Sequence, residues 1–317
     1  MVAALKKLTG DDFAGRLSAW WDGREYVAGK GKPETPQKAV ASKPKDVPAP
    51  ENSESDTPSL SAAASRVAAL EALWGQGRFS PGGPELYARL TDNLPDFEGG
   101  ESRFGVMNTD PSMVTHLVSA LGICPVIAEW RGPCQERYRD VFPDFDIIGG
   151  DLDRPQFEPG TLKLLFSQDA FAFSDHKSGL AVRAFRSLEP GAQWVVMDTV
   201  RDNPDCKLDA AFASSWSEPQ LIESNEIVEI CEAAGFELVR DEDDLTGDVL
   251  QAYRTASEKF GVELEARLIQ SLRNANRTAF MHELSWEMES WKWRQRALAG
   301  ELIHVKMWKF RKPDADI

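Results

Sequence analysis

The chain has 317 residues, with 36 Lys and Arg against 51 Asp and Glu, so its formal net charge at neutral pH is −15. This balance repels a phosphate backbone and excludes nucleic acid and an anionic membrane surface as expected partners. Hydrophobic residues make up 42% of the chain and include 10 Trp and 16 Phe, which is enough for a large core and excludes wholesale disorder.

Targeting and metal signals are missing from the sequence. No stretch approaches the roughly 20 apolar residues that a membrane span needs, and the opening MVAALKKLTGDD lacks the apolar run of a signal peptide. The scattered cysteines argue against a zinc site and a disulfide framework; they are Cys124, Cys134, Cys206 and Cys231. We therefore expect a cytoplasmic protein without a metal.

Residues 1–27 contain a short amphipathic segment, DDFAGRLSAWWDGREY. Its large apolar residues share one helical face; they are Phe13, Leu17, Trp20 and Trp21. Because Trp dominates protein interfaces, this face predicts a contact with a protein partner. The alternative is that the helix folds back onto an apolar patch of its own domain.

Residues 28–60 are rich in Pro, Lys, Ser and Glu and nearly free of large apolar side chains. Such a segment cannot repay its ordering entropy, so we expect a disordered linker. If flexible, it would span about 30 Å, on the usual scaling of linker length.

From residue 61 the pattern becomes globular, beginning with a helical stripe over 64–74 and a helix at 84–94. Short β-rich runs then alternate with helical patterns. The predicted strands are 103–108, 125–130, 145–150, 162–167 and 192–198, and the predicted helices are 111–121, 133–141, 177–188 and 221–234. This alternation predicts an α/β domain with a parallel sheet, whose ligands bind at the carboxyl ends of the strands.

The rest of the chain breaks this rhythm. A strand at 236–243, a long helical stretch at about 247–298 and a closing strand at 301–310 are expected. The domain 61–317 should therefore hold a seven-stranded sheet.

Several segments of the domain carry a resemblance when they are taken in order. They are WGQGRFSPGG (74–83), FSQDAFAF (166–173), RAFRSLEPGAQWVVMD (183–198) and EICEAAGFELV (229–239). Together they resemble class I S-adenosylmethionine (SAM)-dependent methyltransferases over about 72–312. Within that superfamily the chain looks most like the small-molecule N-methyltransferases of the phosphoethanolamine type. The resemblance implies a Rossmann-like seven-stranded sheet with helices on both faces.

The resemblance places a cofactor loop after the first strand, where the family has Gly-x-Gly-x-Gly. The stretch here is VMNTDPSMV (106–114), which has no glycine. The side chains of Asn108, Thr109, Ser112 and Met113 would occupy the cofactor's space. Asp110 would add negative charge near a site that must accept a carboxylate, and Pro111 removes an amide donor. The alternative interpretation is a plain strand-to-helix turn, capped by Asp110 with Pro111 in the first helical position.

Two further positions of the cofactor pocket match the family's pattern. Glu129, at the end of the second strand, would bind the ribose hydroxyls, and Asp151, after the third strand, would lie beside the adenine. Each also has an ordinary interpretation, Glu129 as one acid among many and Asp151 as a turn residue beside two glycines. Asn108, Asp110, Glu129 and Asp151 thus form the predicted residual cofactor pocket.

The substrate side of the resemblance is incomplete. Asp169 matches the Asp that holds the substrate, and Ser80 matches the Ser of the lid segment. Phe173 stands where the family has a His, and Thr199 stands where it has a Tyr. Because neither can exchange a proton near neutral pH, we predict no catalytic residue.

The Trp-rich run SWEMESWKWRQR (285–296) allows two interpretations. It could line an aromatic cage for a methylated amine. Alternatively it packs as a helix, with Arg294 and Arg296 in solvent.

The sequence therefore predicts a methyltransferase fold that has lost SAM-dependent catalysis, a pseudoenzyme that senses a small ligand or contacts a protein through its N-terminal helix. No cofactor is favoured on this hypothesis. The alternative is an active SAM-dependent methyltransferase of a small amine or another small molecule.

Overall fold

The computed structural model describes residues 62–92, 94, 103–272 and 277–314. The predicted N-terminal helix and the predicted linker lie outside the described residues. No helix among the described residues is long and apolar enough to cross a membrane.

Seven strands form a single sheet in the order β3-β2-β1-β4-β5-β7-β6. They are β1 (Arg103–Met107), β2 (Pro125–Ala128), β3 (Asp146–Ile148), β4 (Leu162–Gln168), β5 (Leu188–Val200), β6 (Glu237–Asp244) and β7 (His304–Arg311). The pairings from β3 to β5 are parallel, whereas β7 runs antiparallel to both of its neighbours. The predicted seven-stranded α/β sheet is confirmed.

Ten helices of the described chain surround this sheet or connect its strands. They are α1 (Ala62–Trp74), α2 (Pro84–Thr91), α3 (Pro111–Leu121), α4 (Gly132–Val141), α5 (Ala170–Phe173), α6 (Lys177–Ser187), α7 (Ala210–Ser215), α8 (Ser224–Ala233), α9 (Thr246–Leu272) and α10 (Arg277–Ala299). Within the described residues, α9 and α10 cover the helical stretch expected at 247–298, of which 273–276 are not described.

The central strands are buried on both sides, which explains their nearly continuous apolar sequences. In β4, Leu164 and Leu165 point to opposite faces and both are fully buried. The core on one face joins residues of α6 and α8 to the strands, including Leu180, Ile227 and Trp194. Helices α6 and α8 cover this face because their apolar side chains recur at helical spacing.

A second layer of helices is held together by aromatic side chains. Helix α1 packs against α9 and α10, and the ring of Trp74 lies 4.1 Å from that of Trp291 and 5.0 Å from that of Tyr253, between centroids. This layer lies beside the site, since Arg294 of α10 lines a crevice together with residues that follow β1 and β4.

The strand order reverses between β1 and β4, which are neighbours in the sheet. Their crossover connections leave the sheet in opposite directions, so a crevice opens beyond their carboxyl ends. Asn108 follows β1 and Asp169 follows β4. The fold thus places two of the predicted site residues at the point where ligands of such sheets bind.

Candidate functional site

A crevice of about 200 Å³ lies at this edge of the sheet. Its walls combine residues that follow β1, β2 and β4 with residues of α10 and of the segment after α1. The residues that matter most below are Phe79, Asn108, Trp130, Asp169, Trp216 and Arg294.

Asn108 occupies a backbone conformation that usually calls for glycine. Its φ is +54°, a left-handed value that Asn tolerates better than most residues. The side chain then fills the space that a glycine would leave. Its amide nitrogen donates to the carbonyl of Gln168 over 2.8 Å, and its oxygen accepts from the indole of Trp130 over 2.9 Å. Asn108 therefore links the ends of β1, β2 and β4.

Asp110 caps helix α3, as the plain-turn interpretation predicts, and Pro111 is the first helical residue. The carboxylate accepts from the amide of Met113 over 2.9 Å and from the hydroxyl of Ser80 over 3.2 Å. Burial raises the pKa of this carboxyl above its usual value. Asp110 thus accepts the hydrogen bond of a free amide at the N-terminus of α3, and Ser80 donates to the same carboxylate.

Glu129 is buried and held by its own neighbour, Arg131. The backbone amide and Nε of Arg131 both donate to Oε1 over 2.8 Å, and Nη2 donates to Oε2 over 2.8 Å. Arg131 also donates to the carbonyl of Thr109 over 3.1 Å. Both oxygens of the acid expected to bind ribose are therefore engaged by a guanidinium group.

Asp151 lies apart from the crevice. Its side chain is exposed and accepts from the amide of Asp153 over 3.0 Å, the contact of a turn residue. The space that Asp151 shares with Glu129 and Trp130 measures only about 10 Å³. The four predicted cofactor residues are thus divided, with Asn108 on the crevice, Asp110 and Glu129 buried behind it, and Asp151 on the surface.

Asp169 lies on the crevice wall with a left-handed φ of +48°. Its Oδ1 accepts from the hydroxyl of Thr199 over 2.7 Å, so the residue found in place of the expected Tyr holds the Asp itself. Burial raises the pKa of Asp169. Asp198 cannot replace it, because its carboxylate caps α5 through the amides of Phe171 and Ala172.

Phe173 forms part of an aromatic wall. Its ring lies 6.2 Å from that of Trp130 and 5.4 Å from that of Trp216, between centroids. Met113, by contrast, is fully buried in the first turn of α3. Phe173 therefore lines the crevice with an apolar ring, whereas Met113 belongs to the core.

The expectation that Arg294 lies in solvent is wrong. Only 6% of the residue is exposed, because α10 turns it inward against the rings of Trp74, Tyr253 and Trp216. Its Nη2 donates to Glu287 over 2.7 Å. Arg296, two positions along the helix, is exposed as predicted.

Sequence reasoning missed Arg294, although a signal was present. The buried face of α10 includes Phe280, Leu284 and Trp291, and continuing this spacing by three residues reaches Arg294. The same face carries Glu287, which binds Arg66 of α1 over 2.7 Å. An ion pair on a helix's apolar face is hard to predict when its partner is 221 residues away.

No three His, Cys, Asp or Glu side chains converge as a metal site requires within the described part of the chain. Cys134 also lines the crevice. Burial raises the pKa of this thiol to about 12, which leaves it protonated near neutral pH and unsuited to nucleophilic attack.

No protein-family model and no curated protein sequence matches the chain. The structure is similar to phosphoethanolamine N-methyltransferase 2 of Haemonchus contortus, solved with phosphomonomethylethanolamine and S-adenosylhomocysteine, at a TM-score of 0.61 and 17% identity. This match covers 78% of the chain and 57% of the Haemonchus enzyme. The chain therefore spans little more than half of that enzyme's length.

Two other solved structures are similar over most of their length. The cyclopropane synthase MmaA2 of Mycobacterium tuberculosis matches at a TM-score of 0.57 and 13% identity, over 72% of this chain and 83% of that one. The [4+2]-cyclase SpnF matches at 0.54 and 11% identity, over 73% and 81% respectively. At these identities the likeness establishes the fold, which is that of class I SAM-dependent methyltransferases.

Proposed function

We propose that this chain is a methyltransferase-fold protein that has lost SAM-dependent catalysis and uses its crevice to sense a small ligand. One observation carries the proposal. The Glu129 side chain is buried, and Arg131 donates two hydrogen bonds to its Oε1 and one to its Oε2, so a ribose hydroxyl would have to compete with a charge-assisted pair. Releasing Arg131 would leave a buried carboxylate without its cation, which is costly.

One further contact and the small space beside Glu129 also oppose a bound SAM molecule. The Asp110 carboxylate already accepts from the amide of Met113 at the start of α3, where a ligand's carboxylate would seek a donor. The space bordered by Glu129 and Asp151 is about 10 Å³, far below the about 300–1,000 Å³ of typical ligand pockets. The residues present therefore do not fit SAM.

Loss of catalysis is further supported by the residues on the substrate side. Phe173 and Thr199 stand where the resemblance expects a His and a Tyr, and neither can exchange a proton. Asp169 accepts from Thr199 through Oδ1 and lines the crevice, which places its carboxyl group within reach of a ligand. The crevice retains a ligand-binding group without an acid–base pair.

The fold does not impose methyl transfer on the chain. Structures with this fold carry different activities in their names, a cyclase and a cyclopropane synthase among them. Function must therefore be argued from the site rather than from the sheet.

An active SAM-dependent methyltransferase of a small amine is the competing function. It is favoured by Asp169, which faces the crevice at the position where the resemblance places the substrate Asp. On that alternative, Arg131 would have to leave Glu129 when the cofactor enters.

A protein contact through residues 1–27 is the second part of the proposal, and it rests on the sequence alone. We expect the double change Trp20→Ala/Trp21→Ala to abolish this contact, because each large apolar side chain contributes about 1.5–3 kcal/mol when it is buried. Deletion of 1–27 separates two cases. If the helix serves a partner, the melting temperature of the remaining chain stays the same, whereas a fall in melting temperature would show that the helix covers its own domain.

Titration calorimetry with SAM and S-adenosylhomocysteine tests the loss of cofactor binding. We expect no binding of either compound to the full chain. A dissociation constant in the low micromolar range, about −8 kcal/mol, would overturn the proposal. In that event Glu129→Ala should weaken binding, since the ribose hydroxyls would lose a charged acceptor.

A further inference from the structure

The crevice combines charged side chains that already have partners with aromatic rings that line its opening. Resting on the proposed function, we infer that the crevice binds a small uncharged aromatic compound, whose ring packs against Trp130 and Phe173. Both side chains belong to the crevice wall, and 37% of Trp130 is exposed.

Each of the three guanidinium groups on the crevice has a carboxylate partner in the described chain. The pairs are Arg66 with Glu283 and Glu287, Arg294 with Glu287, and Arg131 with Glu129, at nitrogen–oxygen distances between 2.7 and 3.6 Å. Three carboxylates thus balance three guanidinium charges. The arginines of the crevice therefore do not call for an anionic ligand.

Asp169 is the other charged side chain that the crevice wall must accommodate. Burial raises the pKa of its carboxyl, while the hydrogen bond from Thr199 and the charge of Arg294 oppose this rise. A cationic ligand that approached Asp169 would be repelled by Arg294 and Arg131 on the same wall. In either protonation state, however, a carboxyl group can accept a hydrogen bond from an uncharged hydroxyl group.

A charged ligand of either sign would meet like charges in the crevice. An ammonium group would face guanidinium groups, and a carboxylate would face Glu287 and Asp169. Either ligand would have to draw a partner out of an existing pair or remain desolvated without a counter-ion, and both outcomes are costly. An uncharged ligand avoids these costs.

Polar groups of the wall are also engaged within the chain. The Asn108 amide donates to the carbonyl of Gln168 and accepts from Trp130. The Ser80 hydroxyl donates to Asp110 over 3.2 Å and accepts from the side-chain amide of Gln168 over 2.9 Å. These contacts leave the aromatic rings as the main surface that a ligand can use.

Trp130 provides a fixed ring at the opening of the crevice. Its indole nitrogen donates to Asn108 over 2.9 Å, which holds the ring in place although Trp130 is among the few exposed large apolar residues of the described chain. The rings of Trp216 and Phe79 each lie under an arginine, whereas no cation of the described chain lies over Trp130 or Phe173. A ring held in this way is pre-organised to pack against another aromatic ring.

The volume of the crevice limits the ligand to one ring or two fused rings. It measures about 200 Å³, whereas an apolar cavity of about 150 Å³ can hold a benzene molecule. Pockets for drug-sized ligands begin at about 300 Å³. A fused two-ring compound therefore fits, but a nucleoside that carries an amino-acid moiety is too large.

Three probes that share a naphthalene ring and differ in charge test this inference on the full wild-type chain at neutral pH. They are 2-naphthol, which is uncharged, the anion 2-naphthoate and the cation 2-naphthylmethylamine. By titration calorimetry we expect 2-naphthol to bind at least about tenfold more tightly than either charged probe, a difference of about 1.4 kcal/mol. Equal or tighter binding of a charged probe, or no binding of 2-naphthol, would overturn the inference.

A matched pair of variants then locates the site. Phe173→Leu removes a ring of the crevice and should weaken the binding of 2-naphthol several-fold. Phe185→Leu is the control, because Phe185 is also half-buried but packs against Phe236 at 5.1 Å between ring centroids, away from the crevice wall. Its affinity should equal that of the wild type. Equal affinities of the two variants would contradict the assignment of the site.

A measurement on the wild-type chain covers the case in which Phe173→Leu does not fold. Intermolecular nuclear Overhauser effects should connect the ring protons of bound 2-naphthol with the indole protons of Trp130. Contacts of the bound probe with other aromatic side chains but not with Trp130 would overturn the inference.

SAM is titrated alongside these probes, so that the two proposals fail separately. Binding of SAM would contradict the loss of cofactor binding whatever 2-naphthol does. Absence of both SAM and 2-naphthol binding would leave that loss standing and remove the uncharged aromatic compound as the ligand class.

Discussion

At the scale of single residues, Asn108 combines a backbone conformation that favours glycine with a side chain that makes two hydrogen bonds. Its φ is +54°, a left-handed value at the turn from β1 to α3. The side chain, however, binds Gln168 and Trp130 in the space that a glycine would open. The Asn108 side chain therefore shapes the edge of the crevice and ties β1 to β4 and Trp130.

Two substitutions at Asn108 should separate these effects. Asn108→Gly keeps the conformation but loses two buried hydrogen bonds, and should lower the free energy of unfolding by about 1–3 kcal/mol. Asn108→Ala loses the same bonds and adds left-handed strain of about 1–2 kcal/mol. The free energy of unfolding from urea denaturation should therefore be highest for the wild type, lower for Asn108→Gly and lowest for Asn108→Ala. A Gly variant less stable than the Ala variant would contradict the role of the backbone conformation.

Asp110 should leave a signature in the pH dependence of stability. Burial raises the pKa of its carboxyl above the value in the unfolded chain. The contribution of Asp110 to the free energy of unfolding is therefore greatest below about pH 4 and falls as pH rises through the pKa of the folded state. Asn caps a helix about as well and does not ionise. The free energy of unfolding of Asp110→Asn, measured relative to the wild type between pH 5 and 8, should therefore improve as pH rises.

Asp202→Asn is a control of opposite sign for that experiment. Although partial burial opposes it, hydrogen bonds from Lys306 and Ser224 lower the pKa of Asp202. Asp202 therefore adds to the free energy of unfolding at neutral pH and loses this effect as pH falls. The loss of stability in Asp202→Asn relative to the wild type should accordingly become smaller in acid. The same pH trend in both variants would contradict the assignment for Asp110.

At the scale of elements, Glu287 connects helices α1 and α10. Its carboxylate binds Arg66 of α1 and Arg294 of α10 over 2.7 Å each, and accepts from the indole of Trp74 over 3.3 Å. The helix that carries the crevice arginine is thus tied to the segment that leads to Phe79 and Ser80.

Glu287→Gln should weaken this connection strongly. The change leaves two guanidinium groups without their shared anion, and breaking such a buried pair costs about 3 kcal/mol. Glu289→Gln, on the same helix but only partly buried, should change stability by less than about 0.5 kcal/mol. Equal urea midpoints for the two variants would show that the ion pairs contribute little.

The sequence predicts these elements well where their signals are local. The helix expected at 111–121 has the same bounds in the structure, because Asp110, Pro111 and Gly122 mark its ends.

At the scale of the whole molecule, the fold was easier to predict than the site. Alternating strands and helices indicate a parallel sheet with right-handed connections, and the resemblance implied a seven-stranded fold. The Glu129–Arg131 pair lies within three residues, so it could have been anticipated. The position of Arg294 beside Asp169 depends on how α10 packs, which local pattern does not reveal.

The predicted organisation of the first 60 residues is open to a direct test by limited proteolysis. Residues 28–60 have little apolar surface to bury, so a protease should cut them rapidly. A stable fragment beginning near residue 61 should accumulate and be identified by mass spectrometry. Slow cleavage throughout 28–60 would show that this segment is ordered and that the predicted domain boundary is wrong.

The central claim is that the chain's own side chains close the cofactor half of the crevice. A crystal structure determined in a large excess of S-adenosylhomocysteine tests it most directly. We expect the Glu129–Arg131 pair and the Asn108–Trp130 hydrogen bond to remain, with no nucleoside beside Asp151. An adenosine group seated between Glu129 and Asp151, with Arg131 turned away, would contradict the account.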